Sequence, residues 1–68
     1  MAERLANRLK DRRAELGLTQ AELAEKVGVT RKTVNTVENG VFTPSATLAI
    51  KLAAALGISV EQLFWIER

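Results

Sequence analysis

The chain has 68 residues, and ten basic against eight acidic side chains give a formal net charge of +2. This length has room for one small hydrophobic core, so we expect a single domain over residues 1–68. The chain contains no cysteine and no histidine, which excludes disulfides and thiolate metal sites and removes the commonest general base and metal ligand. We therefore expect neither an enzyme nor a protein that holds a metal or a cofactor.

No segment has the pattern of a signal peptide or of a membrane span. The Ala/Leu-rich segment 46–58 is interrupted by Lys51 and Gly57 and is too short to cross a bilayer. We expect a soluble, intracellular protein with no membrane partner.

The first predicted element is a helix over residues 3–16. Leu5, Leu9 and Leu16 recur at helical spacing, and Gly17 follows as a stop signal. The polar face of such a helix is most often simply solvated, although a basic residue on it could contact a phosphate group. Its charged residues are Arg4, Arg8, Lys10, Asp11 and Arg12.

Residues 19–40 have the pattern of two short helices joined by a tight turn. Thr19 and Glu22 form a capping-box pattern at the start of the first helix. Gly28 ends that helix, because glycine adopts the left-handed conformation without steric cost. Thr30 is placed to cap the second helix. The pattern predicts a helix-turn-helix.

The second of these helices has an unusual polar face. Val34 and Val37 are expected to point inward, and the opposite arc carries amide, hydroxyl and basic side chains, of the kinds that contact base edges in the major groove. Residues 1–32 also hold eight basic and five acidic groups, against two and three in residues 33–68, as a nucleic-acid footprint would. The alternative is a polar helix surface with no partner. The arc consists of Arg31, Lys32, Asn35, Thr36 and Asn39.

The remaining chain predicts a loop and two more helices. Residues 41–44 contain the turn and breaker residues of a loop. We expect Phe42 to anchor this loop to the core, and the alternative is a residue that stacks on a base. Ser45 and Gly57 delimit a fourth helix, and Ser59 with Gln62 repeats the capping-box pattern at the start of a fifth. Five short helices with short connections predict a compact all-α domain.

The chain ends on bulky apolar residues, Phe64, Trp65 and Ile66. Contiguous exposed aromatic side chains usually mark an association surface, so these residues are candidates for a dimer interface. Alternatively, Phe64 and Trp65 close the core of the monomer. In a mixed arrangement Phe64 points inward, and Trp65 and Ile66 lie at the dimer seam.

The segments LGLTQAELAEKVGVT and TVENG closely resemble the Cro/C1-type (XRE) helix-turn-helix repressors, and the pattern from Pro44 to Phe64 extends the likeness to almost the whole chain. The chain is similar in particular to the small stand-alone regulators of this family. Some of these form a short C-terminal strand that helps build the dimer. The resemblance implies a compact five-helix, lambda-repressor-like DNA-binding fold.

The resemblance also implies roles for individual residues. Base edges would be contacted from positions 31, 32 and 36, joined by Asn35 on the same arc. An arginine near the end of the first helix would pair with a glutamate near the end of the recognition helix, which are Arg13 and Glu38 here. Departures from the glutamine-rich phage pattern at positions 31, 32 and 36 leave the operator sequence open. The residues implied to contact the DNA backbone are Gln20, Thr33 and Asn39.

The function implied is that of a homodimeric, sequence-specific regulator of transcription, above all a repressor. It would lay residues 31–39 in the major groove of double-stranded DNA and read a pseudopalindromic operator whose half-sites lie roughly 34 Å apart. Such a protein would be cytoplasmic and nucleoid-associated, and of bacterial, archaeal or phage origin. The alternative is an antitoxin-like or adaptor module whose aromatic end binds another protein, with DNA binding secondary or lost.

Overall fold

In the computed structural model, which describes residues 2–68, the chain forms five helices and a two-stranded antiparallel sheet. The elements in chain order are β1 (Arg4–Asn7), α1 (Leu9–Glu15), α2 (Gln20–Val27), α3 (Arg31–Glu38), α4 (Ala46–Leu56), α5 (Val60–Leu63) and β2 (Phe64–Glu67).

The helix boundaries follow the capping residues that the sequence predicts. The Thr19 hydroxyl accepts the Glu22 backbone N–H at 3.0 Å, and the Glu22 carboxylate accepts the Thr19 N–H at 2.8 Å. This second hydrogen bond lowers the pKa of Glu22. Ser59 and Gln62 form the same reciprocal pair at α5. The predicted capping boxes are therefore confirmed.

The turn between α2 and α3 contains a glycine in the left-handed backbone conformation. Gly28 has φ 77°, and its N–H donates to the Glu25 carbonyl. On the other side of the turn, the Thr30 hydroxyl caps α3 by accepting the Thr33 N–H at 3.2 Å. Because only glycine adopts this φ at no cost, the helix-turn-helix geometry depends on this position.

The core lies between α2, α3 and α4 and is closed by α1, α5 and β2. All of its buried side chains are apolar, and α3 contributes Val34 and Val37 to it, as predicted. The buried residues are Leu9, Leu23, Ala24, Val27, Val34, Val37, Leu52, Ala53, Leu56, Leu63 and Phe64.

The predicted helix over residues 3–16 is wrong in its first half. Residues 4–7 form strand β1 instead, which pairs antiparallel with β2 so that Leu5 faces Ile66 and Ala6 faces Trp65. Helix α1 begins only after Asn7, whose side-chain oxygen accepts the Leu9 N–H at 3.0 Å. At the other end, Leu16 lies on the surface and not on a buried stripe. Pairing with β2 overrides the helical spacing of the leucines.

The structure also tests what the sequence predicts for the aromatic residues Phe64, Trp65 and Phe42. Phe64 is buried in the core of the single chain, so the prediction that it lies at a dimer interface is wrong, because it has little surface left for a partner. Trp65 and Ile66 remain exposed, and their place at a dimer seam stays a prediction. Phe42 is 48% exposed, so the expectation that it anchors its loop to the core is wrong.

Arg13 and Glu38 form an ion pair that joins α1 to α3. The Arg13 Nε donates to Glu38 Oε2 at 2.7 Å and its Nη2 to Oε1 at 3.2 Å. The side chain of Glu38 is 3% exposed and that of Arg13 is 15% exposed. The hydrogen bonds that Arg13 donates to the Glu38 carboxylate raise the pKa of Arg13 above its ordinary value, against the opposing effect of burial.

Two further hydrogen bonds complete this cluster. The Gln20 side-chain amide donates to Glu38 Oε1 at 3.1 Å, and the Arg13 Nη1 donates to the Leu18 carbonyl at 2.9 Å. Both carboxylate oxygens of Glu38 are thus matched by N–H donors, so removal of its charge leaves donors without acceptors in a buried place.

Glu38→Gln should destabilise the fold strongly. The substituted amide keeps the size of the side chain but turns an NH₂ group toward the donors of Arg13 or Gln20. Breaking one partner of a buried pair costs about 3–5 kcal/mol, which in a domain of this size lowers the melting midpoint by more than about 10 °C. Thermal unfolding followed by circular dichroism measures this shift.

Glu15→Gln is the matched control for this experiment. Glu15 pairs with Arg12 at 3.1 Å, but its side chain is exposed, and such surface pairs contribute about 0–1 kcal/mol. Equal midpoints for the two variants would show that the Arg13–Glu38 pair acts as an ordinary surface pair.

Candidate nucleic-acid interface

Helix α3 has one face in the core and one face toward solvent. Val34 and Val37 are buried, whereas Arg31, Lys32 and Asn35 are exposed. Thr33 and Thr36 are half-buried at the margins of the exposed face. Among residues 2–68, neither Arg31 nor Lys32 takes part in a salt bridge or a side-chain hydrogen bond within the chain. The predicted base-reading residues therefore share one accessible surface.

The charges at the start of α3 oppose the helix dipole. The first turn has no acidic residue and begins instead with Arg31 and Lys32. Positive charge near a helix N-terminus is unfavourable, typically by about 0.3–1 kcal/mol. These two charges therefore do not stabilise α3 through its dipole.

The three residues assigned to the DNA backbone make hydrogen bonds within the chain. Gln20 donates to Glu38, as described above, which fixes the amide and leaves it a second hydrogen to donate. The Thr33 hydroxyl lies 3.0 Å from the Thr30 hydroxyl. The Asn39 side-chain amide donates to the Asn35 carbonyl at 3.0 Å. The side chains of Gln20, Thr33 and Asn39 are therefore oriented before any ligand arrives.

Two of the predicted base-reading residues are also engaged within the helix. The Thr36 hydroxyl donates to the Thr33 carbonyl at 2.9 Å, so its proton is not available to a base and its methyl group is the more accessible part. The Asn35 side-chain oxygen accepts from Asn39 at 3.3 Å, which leaves its NH₂ group to donate. Among the four predicted base-reading residues, Arg31 and Lys32 are those whose side chains make no hydrogen bond within residues 2–68.

Sequence reasoning missed Asn7, which positions α3. Its side-chain nitrogen donates to the Val37 carbonyl at 3.1 Å, while its oxygen accepts the Leu9 N–H. The side chain of the last residue of β1 thus bonds both the first N–H of α1 and a carbonyl in the last turn of α3. A single asparagine between a strand and a helix carries no sequence signal for the contact with Val37.

Arg12 likewise has a structural role that the sequence did not suggest. The helical pattern places it among the charges of a solvated face, but its Nε donates to the Leu56 carbonyl at 2.9 Å. A basic side chain that bonds the last carbonyls of a helix is a common C-terminal cap. Arg12 therefore joins α1 to α4.

The two-stranded sheet lies beside the C-terminal end of α3. A cavity of about 220 Å³ is lined by residues of both strands, Trp65 among them, and by Glu38, Asn39 and Gly40. The Arg8 guanidinium lies 5.5 Å from the centroid of the Trp65 ring, within the range of a cation–π interaction. Trp65 therefore lines a cavity that it shares with the C-terminal end of α3.

The part of the chain that the structure describes offers no cluster of three or more acidic side chains placed to hold a metal ion. Each helix within residues 2–68 is too short or too polar to cross a bilayer.

A helix-turn-helix family model matches residues 9–63. The helix-turn-helix-type transcriptional regulator YgzD of Bacillus subtilis is 43% identical over 63 residues, which cover 93% of this chain and 96% of the relative. The antitoxin HigA-1 of Vibrio cholerae is 52% identical over 52 residues, which cover 75% of this chain but only 46% of the antitoxin.

Among solved structures, the P22 c2 repressor in complex with a synthetic operator matches with a TM-score of 0.77 and 30% identity, over 79% of this chain and 82% of the repressor chain. This match agrees with the lambda-repressor-like arrangement of the five helices. The chain belongs to the helix-turn-helix family of the Cro/C1 (XRE) type, whose members are DNA-binding regulators of transcription and not enzymes.

Proposed function

We propose that this protein is a homodimeric repressor that reads a pseudopalindromic operator through the major groove with residues 31–39. The observation that carries the proposal is the pair Arg31 and Lys32, exposed on the first turn of α3 without an acidic partner in residues 2–68. Arginine and lysine at the start of a recognition helix donate to guanine O6 and N7.

The remaining contacts divide into two classes. Asn35 and Thr36 lie farther along the same face and contact base edges, whereas Gln20, Thr33 and Asn39 hold the DNA backbone. Gln20, Thr33 and Asn39 are oriented in advance by hydrogen bonds within the chain, which suits residues that position a protein on the duplex. Asn35 and Thr36 are held by hydrogen bonds as well, so the division follows the roles that the family resemblance implies and the position of Asn35 on the exposed arc.

Two copies of the chain are needed for tight operator binding. One α3 covers a single half-site, and linking two half-sites raises affinity by making the second contact intramolecular. We assign the dimer seam to Trp65 and Ile66, since both are exposed apolar residues on β2. Occupation of a promoter by the dimer would exclude polymerase.

An antitoxin-like function is the second candidate, supported by the similarity to HigA-1. In that case a partner protein would bind the aromatic end of the chain, and DNA binding would be secondary. The two candidates differ in what the purified protein does alone, because a repressor binds its operator tightly without a second protein.

Lys32→Ala should reduce binding to a specific duplex by about 5- to 150-fold, corresponding to the 1–3 kcal/mol of a good base contact. The duplex is selected from a randomised pool with the wild-type protein. Binding to a scrambled duplex should change little. Fluorescence anisotropy at one fixed salt concentration measures both affinities, since salt alone changes them strongly.

The matched control is Lys51→Ala, which removes the same charge from an exposed position on α4. It should lower both affinities slightly and equally. If Lys32→Ala behaves like this control, with equal losses on the specific and scrambled duplexes, Lys32 does not read a base.

Ile66→Lys should convert the dimer to a folded monomer. Ile66 is 57% exposed, so a lysine there is tolerated in the isolated chain but places two like charges at the seam. Sedimentation should show half the mass, far-UV circular dichroism should be unchanged, and operator binding should fall by at least 100-fold, the lower range of the gain from linking two sites.

Ile50→Lys serves as the control, because Ile50 is 59% exposed and lies on α4. It should leave the dimer intact. A dimer that survives Ile66→Lys but dissociates with Ile50→Lys would place the seam on α4, and the assignment to β2 would be wrong.

A further inference from the structure

A shallow cleft of about 350 Å³ runs along the exposed face of α3. Its walls are Lys32, Thr33 and Thr36 from the helix and Val41 and Phe42 from the loop that follows it. Val41 is 78% exposed and Phe42 48% exposed. Two adjacent apolar side chains are thus presented to solvent next to the residues proposed to contact DNA.

The loop that carries these side chains is held against the helix. The backbone N–H groups of Val41 and Phe42 both donate to the Thr36 carbonyl, at 2.9 and 3.2 Å. The chain reaches this position through Gly40, which has φ 72°, a conformation that other residues adopt at a cost. The two side chains therefore have a defined place relative to α3 although they are not part of the core.

The lining of the cleft selects for a small apolar group beside a hydrogen-bond acceptor. The Thr36 hydroxyl donates within the helix, and the Thr33 hydroxyl pairs with Thr30, so both threonines offer mainly their methyl groups. No acidic residue lines the cleft, and Lys32 contributes a basic side chain, a hydrogen-bond donor, to its lining. In the major groove, thymine presents a C5-methyl group beside its O4 acceptor.

We infer that this cleft receives the C5-methyl group of a thymine in each half-site, which makes Val41 and Phe42 specificity-determining residues. The inference rests on the proposed function and deepens it. A thymine is favoured over a peptide or a second copy of the chain because the cleft shares Lys32 and Thr36 with the proposed base-reading surface, so a duplex seated on α3 covers it.

The test compares thymine with deoxyuridine, which lacks only the methyl group. In the duplex selected from the randomised pool, each thymine is replaced in turn. At least one position in each half-site should lose about fourfold in affinity, as expected for burial of one methyl-sized group. With Phe42→Ala the thymine and deoxyuridine duplexes should bind equally well, whereas Phe42→Leu should keep most of the difference.

Ile50→Ala, an exposed apolar truncation on α4, is the control and should keep the full difference between thymine and deoxyuridine. The inference is overturned if no replacement changes affinity, or if Phe42→Ala retains the fourfold difference. It is also overturned if Phe42→Ala alters the sedimentation of the free protein, since the cleft would then bind a second copy. A pool that yields no specific duplex instead refutes the proposed function itself, and with it this inference.

Discussion

The orientation of α3, the helix proposed to contact DNA bases, depends on the carboxylate of Glu38. Helix α3 has only eight residues, and isolated helices of that length are not stable in water, so its position must come from contacts with the rest of the chain. Val34 and Val37 set the depth to which α3 sinks into the core, but apolar packing is non-directional. The bidentate pair with Arg13 and the bond from Gln20 supply direction.

A buried ion pair is a poor source of net stability, because the cost of removing two charges from water offsets much of their attraction. Its value here is geometric. A helix that slides or rotates by a fraction of a turn would separate Glu38 from Arg13 and leave both groups without partners. The free energy therefore rises sharply when α3 is displaced from its place. Such a sharp rise holds the residues on the exposed face of α3 in the fixed positions that specific binding requires.

The sequence predicted the elements whose signals are local. The capping boxes at Thr19 and Ser59 and the turn at Gly28 follow from residues within one helical turn of each other, and each is present. Strand β1 could not be predicted in this way, since its residues, RLAN, include good helix formers and no β-branched or aromatic residue. Its conformation comes from pairing with β2, some sixty residues away.

The same distinction between local and distant signals applies to the candidate site. The exposed face of α3 follows from helical periodicity, and the Arg13–Glu38 contact was available only through the family resemblance. The bond from Asn7 to the Val37 carbonyl, and the exposure of Phe42, depend on tertiary contacts between residues that are far apart in the sequence. The residues around Phe42 carry no local signal that distinguishes an aromatic side chain anchored to the core from an exposed one.

In the proposed dimer, the two-stranded sheet connects the seam at Ile66 to α3 through few residues. Asn7 ends β1 and bonds the C-terminal end of α3, and β1 pairs directly with β2, which carries Ile66. The exposed ion pairs at the open end of this sheet, Arg4–Glu67 and Arg68–Glu3, add little stiffness because water screens them. The stiffness comes from the other end, where Phe64 and Leu63 are buried in the core. In the proposed dimer, the distance between the two α3 helices would therefore be set by core packing and one asparagine, and a fixed distance is what half-sites at constant spacing require.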